Sequence, residues 1–147
     1  MKTLLLIASD PASVRTIRVG LRQAQGFRVV ATIDGRASAR TALLHFAPDV
    51  VIVDDICQRS YSVARLREAA ELVPGACTVL VAHAVDGSSL DDVLAAGADA
   101  VIHKPLPPAT FAVLLTEVVE GRLINVPRRR RPVAASAAPP HMRAVGS

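Results

Sequence analysis

Four consecutive apolar residues, Val50–Val53, run directly into two adjacent carboxylates, Asp54 and Asp55. A carboxylate at the end of a buried strand can attack a phosphoryl group or ligate a hard cation. The plainer alternative is a helix cap or a solvated strand end. A second apolar run, Ala100–Ile102, leads into His103-Lys104-Pro105 and supplies an ammonium. If both runs end at one edge of a sheet, Lys104 would neutralise an anion formed at Asp54, or pair with Asp54 itself, and these roles are compatible. Successive strand side chains face opposite ways, so only one of Asp54 and Asp55 projects readily into a shared crevice.

The elements that must hold these groups follow from hydrophobic periodicity. Short β-branched runs alternate with stretches of helical period, the pattern of βαβ units with a parallel sheet. Strands are expected at Thr3–Ala8, Phe27–Ile33, Val50–Asp54, Thr78–Ala82 and Ala100–His103. Helices are expected after Pro11 with Val14, Ile17, Leu21 and Ala24 inward, at Ala37–Phe46, at about Tyr61–Leu72 with Val63, Leu66, Ala70 and Val73 inward, at Ser88–Ala96, and from Pro107 to about Gly121. Asp10 or Ser9 before Pro11 is a good helix start, and Gly26 and Gly97 are expected stops. The third strand is apolar on both faces and should be central. In such sheets binding sites lie at the carboxyl ends of the strands.

A chain of 147 residues, 51% hydrophobic but only 3% aromatic and without Trp, has a core of Val, Leu, Ile and Ala. No apolar run reaches the roughly 18 residues that a bilayer span needs. The apolar stretch in the opening MKTLLLIASD is short and meets Asp10 without a cleavage site; a cytoplasmic protein is expected. Cys57 and Cys77 have neither disulfide-framework nor metal spacing and are expected to be reduced. The net charge of +4 is local: residues 1–127 hold 12 basic and 13 acidic side chains, whereas Arg128, Arg129, Arg130, Arg131 and Arg143 follow with no acid after Glu120. Residues 124–147, rich in Arg, Pro and Ala, are expected to form a disordered basic tail after a single domain at 1–123. That tail is a candidate polyanion site, acting on nucleic acid or an acidic partner without sequence preference. The first strand–helix turn lacks the glycines of a dinucleotide site. His45, His83, His103 and His141 are scattered, with His83 and His103 expected near the crevice, and no catalytic triad is legible.

PDVVIVDD (48–55), AAGADAVIHKP (95–105) and SDPASVR (9–15), set in five βα units, resemble the receiver domains of two-component response regulators over about residues 3–120. The resemblance implies a flavodoxin-like (βα)5 sandwich with a parallel sheet of order 2-1-3-4-5. It further implies that Asp54 is the phosphoacceptor, that Lys104 contacts the phosphate, and that the Lys104–Pro105 bond is cis. It places a docking or homodimer face on the fourth helix, fifth strand and fifth helix, with a histidine kinase or downstream effector as partner.

The same alignment exposes departures. The acidic pair that helps to hold Mg²⁺ in the family falls on Ala8 and Ser9, with Asp10 one position late and better suited to capping the first helix. Ala82 stands in place of the hydroxyl that follows the phosphoryl group, and Val101 in place of the switching aromatic. Arg59 would neutralise Asp54 or Asp55 if it reached the crevice, although an exposed loop arginine is the simpler expectation. Magnesium prefers carboxylates and waters in tight octahedral geometry, so Asp10 and Asp54, the candidate ligands, are expected to bind Mg²⁺ weakly at most, and no other cofactor is assigned. The expected function is that of an atypical receiver, not an enzyme, working through protein–protein interaction with weak or no Mg²⁺-dependent phosphorylation. The alternatives are a working phosphoacceptor at Asp54 and an electrostatic binder acting through the tail.

Overall fold

The computed structural model describes residues 1–55, 58–83 and 85–121. Five strands, β1 (Lys2–Ala8), β2 (Phe27–Asp34), β3 (Val50–Asp54), β4 (Cys77–Ala82) and β5 (Ala100–His103), alternate with five helices. These are α1 (Pro11–Ala24), α2 (Arg40–Phe46), α3 (Arg59–Leu72), α4 (Gly87–Ala96) and α5 (Pro108–Val119). The strands form one parallel sheet of order β2-β1-β3-β4-β5, as the resemblance implied. β3 lies at its centre with all five residues buried, the position its two apolar faces demanded.

The alternating side chains of each strand feed two core layers. Leu4, Leu6, Val50, Ile52, Val79, Val81 and Ile102 pack against Ile17 and Leu21 of α1 and Phe111, Leu115 and Val118 of α5. Leu5, Ile7, Val51, Val53, Leu80, Ala82 and Val101 meet Leu43 of α2, Leu66 and Ala69 of α3 and Val93 of α4. A register shift between Leu4 and Leu5 leaves Val30 as an extra residue in β2, so Val29 packs with the first layer and Ala31 with the second. Two acids fasten the amino ends of strands: Asp49 accepts from the Thr3 amide at 2.8 Å and buried Asp99 from the Thr78 amide at 2.8 Å.

Several boundaries differ from the sequence-based expectation. α1 closes at Gln25, which itself takes the left-handed conformation (φ 58°), so Gly26 is not the residue that turns the chain. α4 does close on left-handed Gly97 at φ 119°. α2 begins at Arg40, not Ala37, because α3 claims the preceding backbone. Arg65 donates to the carbonyls of Gly35 and Ala37 at 3.1 and 2.6 Å, and Glu68 accepts from the Ala39 amide at 2.8 Å. The buried face of α3 is correspondingly polar, with Ser62 and Arg65 turned inward beside Leu66 and Ala69, whereas Val63, Ala70 and Val73 are only half-buried. Among the described residues no helix is long and apolar enough to cross a membrane. The tail expected at 124–147 and Cys57 lie outside the described residues; Cys77 is buried and forms no disulfide.

Candidate functional site

Asp54 is the last residue of β3, and its side chain is fully withdrawn from solvent. Lys104 follows β5 directly, and its Nζ lies 2.5 Å from Asp54 Oδ1 with 14% of the side chain exposed. The same ammonium donates to Ser13 Oγ at 3.3 Å, which ties the first turn of α1 to the pair. Lys104 is held in this position by its backbone amide, which donates to Ala82 O at 2.9 Å, and the Lys104–Pro105 bond is cis. Burial pushes the Asp54 carboxyl above its ordinary range, outweighing the Lys104 hydrogen bond and charge that pull it down. The second oxygen, Oδ2, has no hydrogen-bond partner among the described residues.

Asp55 takes the opposite direction, as strand alternation requires. Ser62 donates to its Oδ1 at 2.6 Å, and the Arg59 guanidinium lies 2.7 Å from its Oδ2. Arg59 is therefore no loop arginine but the first residue of α3, one turn beyond its partner acid, at the i,i+4 spacing that brings helical neighbours together. Of the two carboxylates, Asp54 alone is directed to Lys104.

The two positions aligned with the family's acidic pair hold no acid. Ala8 is buried, and Ser9 donates to Asp34 Oδ1 at 3.4 Å, across the sheet at the end of β2. Asp34 is itself engaged by Arg36 at 2.8 Å, which lowers its pKa to about 2. Asp10 caps α1 by accepting from the Ala12 amide at 3.3 Å. Beside Asp54, a cavity of about 10 Å³ is bounded by Ser9, Gln58, Ser62 and Arg65, room for about one water. A divalent magnesium ion with several retained waters and two or more carboxylates does not fit this donor set. Its described lining offers one committed carboxylate, the hydroxyls of Ser9, Tyr61 and Ser62, the Gln58 amide and a guanidinium. Among the described residues no group of three or more His, Cys, Asp or Glu side chains is placed to hold a metal ion.

Ala82 and Val101 are buried on the α4 side of the sheet, so neither a hydroxyl nor a ring is present there. On the other side, Lys104, Pro105 and Leu106 border a cavity of about 240 Å³ between α1 and α5, floored by Ile17, Val81, Ile102 and Phe111. His83 reaches its rim, whereas His103 is exposed and absent from it. Sequence reasoning missed Ser13, Ser62 and Arg65. Ser13 was detectable as a hydroxyl in the first turn of a helix that starts at the crevice. The other two were marked only by a polar stripe on a helix that must pack on a sheet.

Neither a protein-family model nor a curated protein matches the sequence. Solved structures do match. The signal receiver domain of a candidate response regulator, NarL from Mycobacterium tuberculosis, aligns at 16% identity and TM-score 0.71 over 82% of this chain and 98% of that one. A CheY-like receiver domain protein from Methanospirillum hungatei JF-1 aligns at 22% identity and TM-score 0.66 over 83% and 96%. A candidate pilus assembly protein, cpaE from Burkholderia thailandensis E264, aligns at 21% identity and TM-score 0.65 over 82% and 99%. The chain thus has the CheY-like receiver fold, and response regulator receiver domains are among its structural neighbours.

Proposed function

We propose that this chain is an atypical receiver module of signal transduction that works by docking other proteins, with little or no Mg²⁺-dependent phosphorylation. The observation that carries this reading is the buried Asp54–Lys104 pair, with no group of three or more His, Cys, Asp or Glu side chains placed for a metal among the described residues and with Asp10, whose charge is felt at Asp54, engaged in capping α1. Phosphoryl transfer to a carboxylate depends on positioning and on neutralising the charge of the transferred group. Here Lys104 supplies one positive charge, and the residues at the family's metal positions supply no ligand charge. Each 1.36 kcal/mol lost from the barrier term is tenfold in rate, so losing a metal contribution of several kcal/mol slows transfer by roughly a thousandfold. Ala82 and Val101 support the same reading, because a phosphorylation signal needs a two-state element to bias.

A docking role needs only a stable surface. By the resemblance the partner is a kinase or an effector, met on the α4–β5–α5 face, and the same face would serve a homodimer. The reading is tested by treating the protein with acetyl phosphate, or with beryllofluoride, in the presence of Mg²⁺. The expected result is no phosphoryl adduct by intact mass and no spectral change.

The alternative, a working phosphoacceptor, is favoured by one observation, the ammonium poised on Asp54. Stoichiometric modification abolished by Asp54→Asn would establish it and overturn the first reading.

A further inference from the structure

The cavity of about 240 Å³ beside Lys104 lies between the amino-terminal halves of two helices, with Ser13 and Thr16 of α1 on one wall and Pro108 and Phe111 of α5 on the other. Its floor is apolar: Ile17, Val81, Ile102 and Phe111 are each no more than 6% exposed. A dry cavity of about 150 Å³ already admits benzene, so this space holds one ring and a short substituent. The polar groups on the wall are few, and most are committed. Asp10 caps α1, Thr16 Oγ1 donates to the Ala12 carbonyl oxygen at 3.2 Å, and Ser13 Oγ accepts from Lys104 at 3.3 Å. Lys104 itself has a donor to spare. An ammonium carries three N–H groups; Asp54 and Ser13 take two, and the third has no partner among the described residues.

The charge around that donor is balanced. The Lys104 ammonium and the amino ends of α1 and α5, each worth about half an elementary charge, stand against the carboxylates of Asp54 and Asp10. His83 stands exposed at the rim, where water screens it. An ion of either sign entering over the apolar floor would bring an unmatched charge at a heavy desolvation cost. A carbonyl or hydroxyl oxygen would accept the third Lys104 N–H and add none.

We propose that this cavity binds a small uncharged ligand with a ring-sized apolar body and one carbonyl or hydroxyl oxygen, the class of aromatic or alicyclic amides, ketones and alcohols. Lys104 is the head-group donor, and Ile17, Val81, Ile102 and Phe111 receive the ring. A protein partner is the poorer occupant, because the apolar residues here are recessed. Among the described residues the exposed large apolar side chains are Met1, Leu44, Tyr61 and Val113, and none of them borders the cavity. The inference needs neither the docking role nor a reactive Asp54.

The test is a titration of the full chain, followed by amide NMR, with benzamide, benzoate and benzylamine, which share a ring and differ in charge. Benzamide should give saturable shifts at Ser13, Thr16, Val81, Ile102 and Phe111 with a Kd on the order of 1 mM. The two ions should bind about tenfold more weakly or worse. Lys104→Met/Asp54→Asn removes the donor without stranding its acid, and should weaken benzamide by about tenfold, the worth of one hydrogen bond to a charged group. Thr16→Trp, a substitution at an exposed helix position on the wall, should abolish the shifts. The proposal is overturned by no saturable shift up to about 20 mM benzamide, by shifts that persist in Thr16→Trp, by either ion binding as tightly as benzamide, or by an unchanged affinity in Lys104→Met/Asp54→Asn.

Discussion

The Lys104 ammonium and the Asp54 carboxylate meet 2.5 Å apart across the carboxyl edge of the sheet, one group contributed by the loop after β5 and the other by the buried end of β3. Fifty residues separate them in sequence, and parallel pairing through β4 brings them together. The pair is asymmetric: Lys104 keeps a route to water, whereas the Asp54 side chain has none.

That asymmetry predicts unequal mutational costs. Lys104→Met strands a buried carboxylate and should destabilise the protein by about 3–5 kcal/mol at neutral pH. Asp54→Asn removes the charge that cannot escape and leaves an ammonium that can, so its cost should be clearly smaller. Urea unfolding of both variants measures the difference, and equal costs would contradict the account of the pair.

Burial raises the Asp54 pKa above the ordinary 3.8, so between that value and the raised one the folded state binds more protons than the unfolded state. Stability linked to Asp54 is therefore full below the ordinary pKa and declines as pH rises through the raised one. Asp34 has the reverse sign: its carboxyl is lowered to about 2 by Arg36, so its contribution is present above 3.8 and is lost as pH falls. Wild type alone loses this contribution, so its stability curve and that of the less stable Asp54→Asn should approach each other as pH rises in the window above 3.8, and parallel curves would rule out a raised Asp54.

Gly20 faces α5 from inside α1, and a Cβ built there would lie 2.6 Å from Cδ2 of Phe111 and 3.4 Å from the Pro108 carbonyl oxygen. Glycine to alanine in a helix ordinarily gains about 1 kcal/mol. Here overpacking should reverse the sign and cost about 1–3 kcal/mol, measurable as a lower Tm. A stabilised Gly20→Ala would show that the α1–α5 seam has slack.

The Asp10 carboxylate caps α1. Asp10→Ala should cost about 1 kcal/mol and leave any response to Mg²⁺ unaltered. Ser9→Asp, which adds an acid on the wall of the small cavity beside Asp54, should produce Mg²⁺ binding visible by isothermal calorimetry. No heat from Ser9→Asp would mean that more than the acidic pair separates this site from a metal site.

Much of this architecture was legible in the sequence because each strand is a short β-branched run and each helix presents an apolar face. VVIVD is buried on both sides and could only be central, and the Asp54–Lys104 meeting followed from strand ends alone. What stayed hidden depended on polar side chains that take over backbone duties. Arg65 and Glu68 hold the backbone of residues 35–39 in a loop, although the sequence reads as helix from Ala37. Arg59 turned out to belong to α3 because Asp55 and Ser62 form a local cluster with it, a relationship carried by geometry and not by hydrophobic period. The bulge at Val30 was equally invisible, since both neighbouring residues are apolar.

The most direct test of the central claim is a Mg²⁺ titration of the full chain followed by amide NMR. The account predicts no saturable shift at Ala8, Ser9, Asp10 or Val53–Asp55 as Mg²⁺ is raised through the millimolar range. A saturable shift confined to those residues, lost in Asp54→Asn, would contradict it.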